Sequence, residues 1–156
     1  MPMHRFLSCA FLAVAMAGPA QAQTREVPYW ASITPEIVNM RVGPATSYPI
    51  AWVYKRPGLP MKVVRVSEGW RLVEDPDGER GWVLSRFLSR DRTAIVRGEG
   101  VAEMRTAERG LGKLAWRLEP GVTGKLGECD GGWCEFDVDG RKAYAPQDRL
   151  WGAGAP

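Results

Sequence analysis

The chain repeats itself. Met40-Arg41 returns as Met104-Arg105 and Ala51-Trp52 as Ala115-Trp116, both at an offset of 64 residues. Pro57-Gly58 then returns as Pro120-Gly121, Gly69-Trp70 as Gly132-Trp133 and Asp77-Gly78 as Asp139-Gly140. Trp82 is matched by Tyr144 and Leu88 by Leu150, by which point the offset has shrunk to 62. Small deletions in exposed turns produce that kind of drift. A repeat of this period means that one supersecondary unit is built twice. It predicts two small domains, over residues 27–89 and 93–152, with a boundary in the polar, charged stretch Ser89 to Arg92.

Each unit reads as strands. Val38-Asn39-Met40-Arg41, Ile50 to Tyr54, Met61 to Val66 and Trp70 to Glu74 alternate apolar with polar residues or are rich in strand formers. Gly81-Trp82-Val83-Leu84 follows, and Ser85 to Leu88 fits one 3₁₀ turn. Val27 to Ile33 makes a first strand that Pro28 would hold at an edge, and Thr93 to Val96 replays it in the second unit. Arg56-Pro57-Gly58, Glu68-Gly69 and Asp75-Pro76-Asp77-Gly78 are turns. The chain's 18 glycines and 12 prolines fit short strands and many turns better than long helices. About five strands in sixty residues point to an all-β fold of two tandem small β-barrels.

The first 22 residues read as a cleaved signal peptide. His4 and Arg5 form a polar start, Phe6 to Ala17 is an apolar run too short to span a bilayer, and Ala20-Gln21-Ala22 fits a small-x-small cleavage site. Cleavage is expected before Gln23, with export to the periplasm or beyond and no stable membrane span afterwards. Cys9 sits inside the apolar run and is read as a bystander. The mature chain then keeps two cysteines, Cys129 and Cys134, and no histidine, because the one histidine is His4.

That loss limits the chemistry. A Ser-His-Asp or Cys-His hydrolase needs an imidazole to move its proton. No phosphate-cradling glycine loop precedes a helix. With 21 Lys and Arg against 18 Asp and Glu, the net charge of +3 is evenly mixed and forms no nucleic-acid stripe. The carboxylates of Glu74-Asp75-x-Asp77-x-Glu79 and Asp137-x-Asp139 bracket Asp-Gly turns, so turn chemistry accounts for them. A carboxylate-pair hydrolase remains as a minor alternative. The expectation is a non-enzyme with no cofactor and no metal.

Cys129 and Cys134 flank the four residues Asp130 to Trp133, a glycine hairpin loop. Facing residues of an antiparallel pair approach within disulfide range, and an oxidising compartment favours the bond. Trp52, Trp70, Trp116 and Trp133 recur at matched positions, which favours packing in the core or at the barrel rim over a ligand box. Tyr29, Trp30, Tyr48 and Tyr54 stand beside loops or near the leader. With Pro49 they are the candidate ligand-binding residues, facing sugar rings or proline-rich peptide; packing is the competing explanation for each.

Asn39-Met40-Arg41-x-Gly43-Pro44, then Tyr48-Pro49, Gly69-Trp70 and Gly81-Trp82-Val83, resembles the bacterial SH3-like (SH3b) signature in order and spacing. The likeness covers nearly all of the mature chain as two copies. Within the family it most resembles exported double-SH3 proteins of Gram-negative bacteria, whose second copy carries a Cys-x₄-Cys hairpin, here Cys129 and Cys134. The resemblance implies barrels of five to seven strands that bind wall peptidoglycan or place a partner hydrolase on the wall. On it, Asn39, Arg41, Gly43, Pro44, Trp52, Trp70, Gly81, Trp82, Trp116 and Trp133 are structural motif residues. The second copy departs from the pattern: Asn39 becomes Glu103, Gly43-Pro44 becomes Ala107-Glu108 and Tyr48 becomes Gly112. The expected partner is peptidoglycan or an envelope peptide, held by the first copy. The alternative is a protein–protein adaptor recognising extended or proline-rich segments.

Overall fold

The structure, a computed structural model, describes residues 27–156. The expected signal peptide and its cleavage point lie outside them. The described chain is all-β. In the first half the strands are β1 (Tyr29–Ile33), β2 (Val38–Arg41), β3 (Ile50–Tyr54), β4 (Pro60–Ser67), β5 (Trp70–Glu74), β6 (Arg80–Leu84) and β7 (Leu88–Ser89), with a 3₁₀ turn at Ser85–Phe87. In the second they are β8 (Thr93–Val96), β9 (Ala102–Arg105), β10 (Leu114–Leu118), β11 (Thr123–Asp130), β12 (Trp133–Val138), β13 (Arg141–Pro146) and β14 (Leu150–Trp151).

The two halves have one topology. The first sheet runs β3-β2-β6-β5-β4-β1-β7 and the second β10-β9-β13-β12-β11-β8-β14, the same order with each label advanced by seven. The sequence repeat is therefore a repeat of strand order, and the fold is two tandem SH3-like barrels. Each sheet ends on the same two strands, so the edges are β3 and β7 in one barrel and β10 and β14 in the other.

Alternation along the strands builds the cores. In β2, Val38 and Met40 are buried while Asn39 and Arg41 are half-buried; β9 repeats this with Ala102 and Met104 inside. Ile33, Val38, Met40, Met61, Val63, Val73 and Val83 fill the first barrel. Ala94, Val96, Met104, Phe136 and Leu150 are among those filling the second. Gly81 is required where β6 passes β2: a Cβ there would come 2.5 Å from Met40 Cγ and 2.9 Å from the Arg41 carbonyl oxygen.

Two expectations change. Pro28 does not place β1 at an edge, because β1 starts one residue later and pairs with both β4 and β7. Of the matched tryptophans, expected in the core or at the rim, Trp52 departs. Trp70, Trp116 and Trp133 are half-buried, with Trp116 packed against the second core, and Trp52 is 56% exposed. The first barrel's centre is filled mainly by valine, methionine and isoleucine.

The barrels pack on each other. Trp30 of β1 meets Trp151 of β14 edge-on, with ring centroids 4.8 Å apart, and its indole N–H donates to the Gly154 carbonyl at 3.0 Å. Arg92 in the linker donates to the carbonyls of Gly152 and Gly154. Ile95 of β8 joins the first barrel's core. Across the junction the Arg56 guanidinium donates to the Gly121 carbonyl at 2.7 Å, and Arg97 pairs with Asp77 at 2.8 Å.

Candidate functional site

The five candidate ligand-binding residues separate into two groups. Tyr29, Trp30 and Tyr54 are buried. Tyr29 belongs to the first core; its hydroxyl accepts from Arg71 Nε at 3.0 Å and its ring lies under the Arg90 guanidinium. Trp30 joins the two barrels. Tyr54 is 6% exposed, and its hydroxyl donates to Asp75 Oδ2 at 2.8 Å. The other Asp75 oxygen accepts the backbone N–H groups of Asp77 and Glu79, each at 2.9 Å. Asp75 thus closes its own turn and ties it to β3. Burial, and then the hydrogen bond to the Asp75 carboxylate, push the Tyr54 phenol far above its ordinary range.

Tyr48 and Pro49 are exposed, at the end of the loop between β2 and β3. Arg41 shapes this loop by donating from its guanidinium to the Tyr48 carbonyl at 2.6 Å, while the Val42 N–H donates to the Pro49 carbonyl at 3.1 Å. Arg41 itself is placed by pairing with Trp82 of β6. The Tyr48 ring lies against Gly43, where a Cβ would fall 2.6 Å from three ring carbons. Asn39, the first residue of the motif, stands opposite Val53 in the β2–β3 ladder.

From this loop exposed apolar residues continue along β3, which is bulged at Ala51 so that Ile50 stands opposite Arg41 and Trp52 opposite Met40. Ile50, Trp52 and Val53 are exposed with Val42 and Tyr48, and Tyr54 alone of the five β3 residues is buried. The exposure follows from topology. β3 has β2 on one side and, among the described residues, no strand on the other. A hollow of about 220 Å³ adjoins it, lined in part by Trp52, Tyr54, Arg56, Pro76 and Ile95.

The second barrel treats the same positions differently. Trp116 is half-buried, with its indole N–H on Met104 Sδ at 3.0 Å. Val53 is replaced by Arg117, which stands opposite Glu103 in the ladder and pairs with it at 3.4 Å. The β9–β10 loop folds onto its own barrel: the Trp133 ring covers Gly110, and Arg109 pairs with Asp130. Cys129 and Cys134 face each other in the β11–β12 ladder and form a disulfide.

A cleft of about 810 Å³ lies elsewhere, between the barrels beside the linker and β11. The buried hydroxyls of Thr93 and Thr123 in its wall have no hydrogen-bond partner, for which the structure offers no physical account. Among the described residues no cluster of His, Cys, Asp and Glu could hold a metal ion, and no helix is long and apolar enough to cross a membrane.

A family model for the bacterial SH3 domain matches residues 34–90 and again 101–152. The chain belongs to the bacterial SH3 domain family. This tandem bacterial SH3 protein also matches two solved structures from Trichomonas vaginalis at low similarity. NlpC1 is 11% identical with a TM-score of 0.34, over 83% of this chain and 47% of that one. NlpC2 is 13% identical with a TM-score of 0.33, over 80% of this chain and 48% of that one. The chain therefore spans about half the length of either. Among curated proteins none matches it. In this bacterial SH3 pair, the loop residues Gly43, Pro44 and Tyr48 and the exposed tryptophan of the edge strand belong to the first domain, while the second exposes Leu111 and Leu114 there and half-buries Trp116.

Proposed function

We propose that the mature protein is a non-catalytic binding module of the cell envelope that holds wall peptidoglycan, or an envelope peptide, on the β2–β3 face of its first barrel. Bacterial SH3 domains are generally wall-binding modules. The observation that carries the reading is the exposure of Tyr48, Ile50 and Trp52 along one loop and its edge strand, where the counterparts in the second barrel are Gly112, Leu114 and a half-buried Trp116. Aromatic faces left in water are costly to keep and suit stacking on sugar rings or apolar peptide. One barrel of a pair built on one topology retains them and the other does not, so the barrel itself does not require them.

Absence of catalysis is part of the proposal. Asp75, a buried carboxylate in the hollow beside β3, is engaged by Tyr54 and its turn amides, and Asp77 is paired with Arg97. The export signal expected from the sequence and the Cys129–Cys134 bridge support a periplasmic or extracellular location. Co-sedimentation of the mature protein with isolated sacculi tests the function. Recovery in the pellet at moderate salt is expected, and a protein left wholly in the supernatant refutes it.

A further inference from the structure

We propose that the free edge of β3 receives an extended segment of another protein by strand addition. This deepens the reading above, since it rests on the β2–β3 face being a binding surface. The edge strand of a sheet presents unpaired N–H and C=O groups to any extended chain, and proteins that do not use such an edge blunt it with charge or cover. The second barrel does so. Its edge strand β10 carries Arg117, held across the ladder by Glu103, and packs Trp116 back onto Met104. In the first barrel the Arg117–Glu103 pair is replaced by Val53 opposite Asn39, and Trp52 stands in solvent. All five β3 residues, Ile50-Ala51-Trp52-Val53-Tyr54, are uncharged. Both edge strands are bulged at the same place, at Ala51 in β3 and Ala115 in β10, so the two copies differ in the charge and cover of the edge and not in its backbone pattern.

The occupant follows from length and charge. A strand of five residues pairs with a segment of similar length. It is far too short to supply alone the roughly 1,600 Å² of a standard stable interface, which argues against a second copy of this chain. β3 runs directly into Lys55, which makes no ion pair among the described residues, and Arg56. The segment is therefore mainly apolar, to lie beside Ile50 and Val53 on one face of the bulged strand and Trp52 on the other, with an acidic residue at the end next to Lys55. Its residues are all of L configuration. A peptide that alternates L and D residues cannot hold successive units in the one β region a regular ladder needs. Wall stem peptides, which mix the two, do not fit this edge as a strand.

The test uses the mature protein and two synthetic probes: a seven-residue all-L peptide of alternating valine and threonine with glutamate at each end, and the same sequence with every second residue of D configuration. Backbone amide shifts are followed on titration. The all-L peptide is expected to shift and protect amides of β3, and the alternating peptide to bind at least tenfold more weakly. The double variant Asn39→Glu with Val53→Arg, which copies the second barrel's ion pair, is expected to keep the rest of the spectrum and lose all-L binding at least tenfold. Equal response to both peptides, shifts located away from β3, or a dimer of the free protein abolished by the double variant would overturn strand addition. Sacculus co-sedimentation run beside it separates the two failures. Pelleting without any β3 response removes strand addition and leaves wall binding standing; no pelleting and no response removes both.

Discussion

The Tyr48 ring lies so close over Gly43 that a methyl group on residue 43 would sit 2.6 Å from three of its carbons. In the second barrel the matching positions are Ala107 and Gly112, a methyl group where the ring is absent. The glycine is thus explained by the ring it accommodates. Gly43→Ala is expected to push the ring off the loop at a cost of about 1 kcal/mol, the low end for overpacking, because an exposed ring can swing away. Sacculus retention should fall with it. The double change Gly43→Ala with Tyr48→Gly, which copies the second barrel, should recover stability in thermal melts and leave retention low.

Tyr54 and Asp75 give a pH prediction. The phenol is raised in the folded state by burial and by its bond to the carboxylate. A group raised on folding contributes stability in full below its unfolded value and loses it as pH climbs above that value, here about 10. Urea midpoints should therefore fall from about pH 10 upward, and Tyr54→Phe should remove most of that fall. At neutral pH the same substitution leaves a buried carboxylate oxygen short of a donor, which costs about 1–3 kcal/mol. An alkaline limb that is unchanged in the variant would show that the bond does not form.

Much of this was legible in the sequence, and the misses have physical causes. The repeat marked both barrels, and strands such as Val38–Arg41, Ile50–Tyr54, Trp70–Glu74 and Thr93–Val96 followed from alternation and turn residues. Burial of loop-flanking aromatics was not legible from neighbours in the chain. It depends on partners far along it, as Trp30 depends on Trp151 and Gly154. One signal for Tyr54 was present: its repeat partner is Leu118, an apolar residue at a core position. Alternation also cannot say which strand ends a sheet, and that is why Trp52 reads as a packing residue and stands in water. The replacement of Val53 by Arg117 was the sequence trace of the open edge.

Trp30 tests whether the barrels act as one body. Its ring is almost wholly buried between them, so Trp30→Ala should cost about 3–5 kcal/mol. Calorimetry of the wild type is expected to show one cooperative transition, and the variant two, as the barrels come apart before they melt. Two transitions in the wild type would contradict the junction described above.

The Cys129–Cys134 bridge closes a short hairpin, so its contribution is modest. In the chain-entropy model a loop of this length gives about 2 kcal/mol. Reduction should lower the single melting temperature of the wild type by a few degrees, and in Trp30→Ala should lower the second barrel's transition alone. Titration of the denatured, unreduced mature protein should find no free thiol.

Sacculus co-sedimentation of three proteins tests the central claim most directly: the wild type, Tyr48→Ala with Trp52→Ala, and Trp116→Ala. Wall binding by the first barrel's β2–β3 face predicts that the wild type and Trp116→Ala pellet together while the double variant, folded by circular dichroism, stays in solution. Equal pelleting of all three, or none, would contradict it.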